Sequence, residues 1–138
     1  MDGSAAAAPK ADVEALVDRL RATLASGRTK PLAWRREQLR ALGYAVAQNE
    51  TRIVEALRAD LRKPAGEAAI SEVDYLTKEC GYAVKKLSGW AKPRRVGTPL
   101  AGLPAASMIV PEPFGVALII GAWNYPIQEV FGPLVGAL

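Results

Sequence analysis

The stretch Pro111-Glu-Pro-Phe-Gly-Val-Ala-Leu-Ile-Ile-Gly-Ala-Trp-Asn-Tyr-Pro126 constrains the fold more than any other. Its apolar run, Val116 to Ile120, shows no polar alternation. A strand buried on both faces, as in a parallel sheet, has this composition. The run closes at Gly121, and Pro126 is well placed to open a helix. Asn124 is thereby set where a buried strand gives way to a helix. In open α/β sheets, ligands bind at the carboxyl ends of strands. Just upstream, Met108-Ile109-Val110 is a second short apolar run. Between the two, Pro113 presets φ and Gly115 tolerates positive φ, which predicts a tight turn and a β-hairpin.

Ahead of this stretch the pattern is helical. Val13, Leu16, Val17, Leu20 and Leu24 recur at helical spacing, with Asp12 as N-cap and Gly27 as stop. Pro31 opens a second helix, with Leu32, Leu39, Leu42 and Val46 inward and Arg35, Arg36 and Arg40 outward. Asn49 marks a break, and Ile53, Val54, Leu57 and Leu61 carry a third helix that ends at Lys63-Pro64-Ala65-Gly66. A fourth, from about Glu67 to Trp90, carries Ile70, Val73, Leu76, Cys80, Val84 and Leu87 on one stripe. The expected organisation is a flexible lead-in over 1–10, helices and a Pro/Gly-rich linker over 11–106, and over 107–138 a β-hairpin and the start of an α/β domain.

Composition bounds the chemistry. There is no histidine, so neither a Ser-His-Asp triad nor a His-ligated metal can be built from these residues. The single cysteine, Cys80, excludes an internal disulfide and a four-cysteine zinc site, and no metal site is expected. The net charge of +4 comes without an aromatic RNA-binding box or a basic helix run, and no nucleic-acid partner is expected. The longest apolar run, Val116 to Trp123, is far short of the ~20 residues that span a bilayer.

Asn124 has two readings. A primary amide can donate hydrogen bonds without a charge to desolvate, and aimed at a carbonyl oxygen it stabilises an oxyanion. Asn beside Pro is also an ordinary cap or turn residue, and spacing alone favours that reading. Gly121 could admit a cofactor or simply close a turn, and no G-x-G-x-x-G comes after Ile120. Cys80, on an apolar stripe with no histidine to activate it, reads as a structural thiol. Glu72 and Asp74 read as ordinary helical charges, and Lys92, Arg94 and Arg95 as a solvated surface run. Tyr75 and Tyr125 could line a pocket, with core packing the plainer alternative.

Taken together, the residues resemble a known family. Glu112-Pro113-Phe114-Gly115-Val116, then Ile119-Ile120-Gly121-Ala122-Trp123-Asn124-Tyr125-Pro126, is similar to the N-terminal signature of aldehyde dehydrogenases. The Gly-x-Trp-Asn-Tyr-Pro form resembles the class 3 branch, which acts on fatty and aromatic aldehydes. Arg35-Arg36-Glu37-Gln38-Leu39, Ala59-Asp60-Leu61-Arg62-Lys63, Glu72-Val73 and Leu87-Ser88-Gly89-Trp90-Ala91 also fit that branch.

The resemblance implies an α/β aldehyde dehydrogenase-like fold, of which this chain is the N-terminal portion: four helices, a β-hairpin, and the first strand and helix of the Rossmann-like cofactor domain. It implies NAD(P)-dependent oxidation of aldehydes to carboxylic acids. In the family a Cys thiolate attacks the aldehyde, a hydride passes to NAD or NADP, and a Glu activates water to release the acid. Asn124 matches the family's oxyanion donor. Ala122 and Trp123 match backbone along the cofactor, and Tyr125 and Tyr75 match positions near the substrate channel. Gln128 and Glu129 depart from that channel's usual polarity. The catalytic Cys and Glu have no match here, and Cys80 is neither, so the chain alone is expected to be inactive. The implied parent is a homodimer acting on a small-molecule aldehyde. A cytoplasmic location is expected, unless segments beyond this chain direct it to a membrane or organelle. The alternative is a non-catalytic helical module, or truncated isoform, that pairs with full-length subunits; a third reading is an incomplete gene model. The Val116–Ile120 run, without parallel neighbours, predicts poor solubility for the isolated chain.

Overall fold

The computed structural model describes residues 10–138. The expected flexible lead-in lies outside them, apart from Lys10. Helix α1 spans Lys10–Ala25, so Asp12 falls in its first turn and not at the cap. A carboxylate there still favours the positive end of the helix dipole. Gly27 takes a positive φ of 74°, as a helix stop does. Helix α2 starts after Pro31 and spans Leu32–Gln48, and α3 spans Glu50–Leu61 with Asn49 at the junction.

The fourth pattern is one continuous helical path with an irregularity. A short α4, Ala65–Ala68, passes into a π-helical segment, Ala69–Asp74, and then into α5, Tyr75–Trp90. The π segment has a wider turn, which rotates α5 relative to a 3.6-residue stripe drawn from α4. Ile70, expected inside, is therefore 68% exposed, while Glu72 is fully buried. Beyond the π segment the expected stripe holds: Leu76, Cys80 and Leu87 are buried, joined by Ala83.

Helix α2 packs along α5. Leu39, Cys80, Ala83, Leu87 and Val135 form one core cluster. Val46, Val73 and Leu76 form another, sealed by Ile53, Ile127 and Phe131. The close approach of α2 to α5 depends on Gly43: a Cβ there would lie 3.1 Å from that of Cys80. Arg40 is exposed as expected, whereas Arg35 and Arg36 are half-buried. The Arg36 guanidinium donates to the Ser88 hydroxyl on α5, which draws it in from the outer face.

The small sheet differs from the expected hairpin. Strand β1, Arg94–Val96, falls in the expected linker and pairs antiparallel with β2, Ser107–Ile109, in the register Arg95 opposite Met108. Thr98 closes the intervening loop, its hydroxyl oxygen accepting from the Ser107 N–H at 3.0 Å. Residues 110–122 form no strand, and Phe114, Leu118 and Ile120 are exposed. An apolar strand of a parallel sheet is held by its neighbours, and among the described residues no strand lies beside it. The last helix, α6, spans Gln128–Ala137 with Pro133 inside it, and its Val135 reaches the core. Among the described residues no helix is long and apolar enough to cross a membrane.

Candidate active site

The Trp123–Pro126 turn is anchored from below by two buried charges. The anchor starts at the end of α3. Arg62 adopts a left-handed φ of 54°, and the Lys63 N–H reaches back to the Leu57 carbonyl. Pro64 then disfavours helical backbone at Lys63, so the chain turns sharply and Lys63 points inward. Its ammonium is buried and donates to Glu72 Oε1 at 2.8 Å and to the Asn124 carbonyl at 3.0 Å. It also lies 3.7 Å from the centroid of the Tyr125 ring, a cation–π contact.

Glu72 completes the anchor. Its other oxygen, Oε2, accepts from the N–H groups of Ile127 and Gln128, both at 2.9 Å. These are free donors at the start of α6, where a carboxylate is favoured by unpaired N–H groups and by the helix dipole. A buried carboxylate is tolerated only when paired and hydrogen-bonded, and this one has three partners. No buried side-chain polar atom among the described residues lacks a partner.

Asn124 is held by its backbone and free at its tip. Its carbonyl is bound by Lys63, while its side chain is exposed and makes no hydrogen bond among the described residues. The residue before α6 is Ile127, and no side chain of its own caps that helix. The capping task falls to Glu72, so the amide is left available for something else.

The other expected site residues scatter around this turn. Ala122 is exposed, and Trp123, 66% exposed, lines an open groove against Ile53, Leu57 and Ile127. Tyr125 is half-buried, its ring under Lys63 and its hydroxyl 3.5 Å from Glu67 Oε1. Tyr75 is exposed at the start of α5, its ring near Gly132 of α6. Gly121 has a packing reason for its lack of side chain: a Cβ would lie 2.5 Å from Val130 Cγ2. Cys80 is buried, and burial, with Glu79 adding to it, pushes its thiol up. That leaves it protonated and inert, as expected of a structural thiol.

Lys63 and Glu72 are what sequence reasoning missed. Glu72 reads as an ordinary helical charge, yet it lies four residues from both Ala68 and Leu76, each fully buried. A carboxylate flanked at ±4 by apolar residues was the available signal. Asp74, by contrast, is exposed and only 3.5 Å from Lys78, the surface pair its spacing allows. Among the described residues no cluster of three potential metal ligands occurs.

Known proteins resemble this chain in sequence and in fold. The family model described as "Aldehyde dehydrogenase family" matches residues 3–138. An aldehyde dehydrogenase of Craterostigma plantagineum is 46% identical over 92% of this chain and 26% of its own length. The chloroplastic aldehyde dehydrogenase family 3 member I1 of Arabidopsis thaliana is 41% identical over 89% of this chain and 22% of its own. A solved structure described as the substrate-bound state of Staphylococcus aureus AldH superposes with a TM-score of 0.87 at 40% identity, covering 91% of this chain and 27% of that one. The chain thus spans about a quarter of the length of the curated relatives it matches.

Proposed function

The chain belongs to the aldehyde dehydrogenase family, with class 3 members among its relatives, and from that membership we propose that it supplies the oxyanion-binding part of an enzyme that oxidises aldehydes to carboxylic acids with NAD or NADP. The observation that carries the proposal is the Asn124 amide, exposed and unpartnered on a turn whose backbone is fixed from below.

The chemistry rests on that placement. When a thiolate adds to an aldehyde carbon, the carbonyl oxygen becomes an oxyanion. A fixed N–H donor directed at that oxygen lowers the barrier by roughly 3 kcal/mol, because it needs no reorganisation as the charge develops. An amide stays neutral throughout, so it binds the aldehyde oxygen without electrostatic cost and strengthens as the charge grows. Cys80, buried and protonated, is not the nucleophile in this scheme, which is supplied by residues outside these 138. The 138-residue chain alone would therefore turn nothing over.

NAD or NADP, when bound, accepts a hydride. Ala122 and Trp123 would lie along it, and both are exposed. The fit is to one flank only. A helix N-terminus is the usual seat for a phosphate, but the first N–H groups of α6 are already taken by Glu72. The phosphates would need donors elsewhere. Tyr125 and Tyr75 are proposed to border the channel of a medium-chain, long-chain or aromatic aldehyde, and the working form to be a homodimer.

The test is Asn124→Ala in the full-length enzyme bearing this segment. A fall in kcat of about 100-fold or more, with NAD(P) affinity unchanged, is expected. Unchanged kcat would overturn the oxyanion role.

A further inference from the structure

We propose that Lys63 and Glu72 are positioning residues for the Asn124 amide: a buried ion pair that fixes the turn from both ends. The inference rests on the oxyanion reading of Asn124. Lys63 holds the front of the turn through the Asn124 carbonyl, at 3.0 Å. Glu72 holds the back through the Ile127 and Gln128 N–H groups, at 2.9 Å each. The two side chains meet at 2.8 Å, so the two attachments are one rigid unit. Tyr125, between them in sequence, is pinned by the same ammonium.

Three features favour positioning over mere stability. First, every bond from the pair to the turn ends on backbone, none on the Asn124 side chain, which stays free to meet a ligand. Second, the pair comes from a part of the chain that the turn itself cannot order: Lys63 lies 61 residues before Asn124, and Glu72 lies 55 residues before Ile127. Third, two buried charges are a poor way to add stability, since apolar residues of the same volume often stabilise as well or better. What charge-assisted bonds add is a fixed direction, and a shift of about 1 Å in a catalytic group can cost roughly 100-fold in rate.

The experiment is a double-mutant cycle in the full-length enzyme bearing this segment, using Glu72→Gln and Asn124→Ala. Glu72→Gln keeps the shape and one acceptor but removes the charge that holds Lys63. It is expected to lower kcat roughly 10- to 100-fold with little change in KM for the aldehyde. In the Asn124→Ala background the same substitution should have almost no further effect on kcat, because the group it aims is gone. A purely structural role would give the same fold-loss in both backgrounds, and that result would overturn the inference. So would an unchanged kcat in Glu72→Gln while Asn124→Ala is impaired. If Asn124→Ala itself leaves kcat intact, it is the oxyanion reading that fails. Should Glu72→Gln not fold, Lys63→Arg runs the same cycle, keeping the charge but altering the geometry at the Asn124 carbonyl. Its loss must likewise vanish without the Asn124 amide, and a loss that persists would overturn the inference.

Discussion

The ammonium of Lys63 and the carboxylate of Glu72 meet at 2.8 Å in the interior, with their side chains 7% and 0% exposed. Both ends of the pair are also bonded to the turn that carries Asn124. This is where a buried charge has most to lose. Glu72→Ala leaves an uncompensated ammonium and two open N–H groups, and should cost about 3–5 kcal/mol of folding stability. The double substitution Lys63→Met/Glu72→Leu removes both charges and should recover much of that loss. Urea titrations monitored by tryptophan fluorescence would check both.

Gly43 sets the distance between α2 and α5. A methyl group at this position would press on the Cys80 Cβ at 3.1 Å, in a region where both helices are buried. Gly43→Ala gains some helix propensity but overpacks the core. A net loss of about 1–3 kcal/mol is expected, read as a lowered urea midpoint with unchanged slope.

Gly121 makes a similar contact within the Asn124 segment. Gly121→Ala would drive a Cβ into Val130 Cγ2. The expected outcome is a lower melting temperature, with part of the loss restored by adding Val130→Ala. No restoration would mean that the backbone contacts at Glu129 and Val130, at 3.4 Å, dominate instead.

Cys80 gives a pH signature. Its thiol is pushed up chiefly by burial, so the folded chain keeps the proton to a higher pH than the unfolded chain does. The stability linked to this group is complete below the ordinary thiol range of about 8.5 and is lost as pH rises through the raised native value. Wild type should therefore lose more stability than Cys80→Ala between about pH 8 and pH 10, a window set by the ordinary thiol value of about 8.5. Iodoacetamide at about pH 8 should modify the folded chain slowly and the urea-unfolded chain at the rate of a free thiol.

Local pattern by itself determined much of this protein. The spacing of Leu39, Val46, Leu76, Cys80 and Leu87 placed the helices and most of the core, because an amphipathic stripe can be satisfied in one way only. Pro31, Asn49 and Gly27 marked the breaks because their backbone limits are intrinsic. The Trp-Asn-Tyr-Pro segment singled out Asn124. Only the tertiary structure decided the rest. The pairing of Ser107–Ile109 with Arg94–Val96, and not with Val116–Ile120, depends on which strand edge is within reach. The burial of Glu72 as a charge depends on the Lys63 ammonium and on the Ile127 and Gln128 N–H groups, which come beside it from other parts of the chain. The bond from Lys63 to the Asn124 carbonyl joins residues 61 apart in the chain. A buried charge is stable only beside its partners, and those partners exist only once the chain has folded.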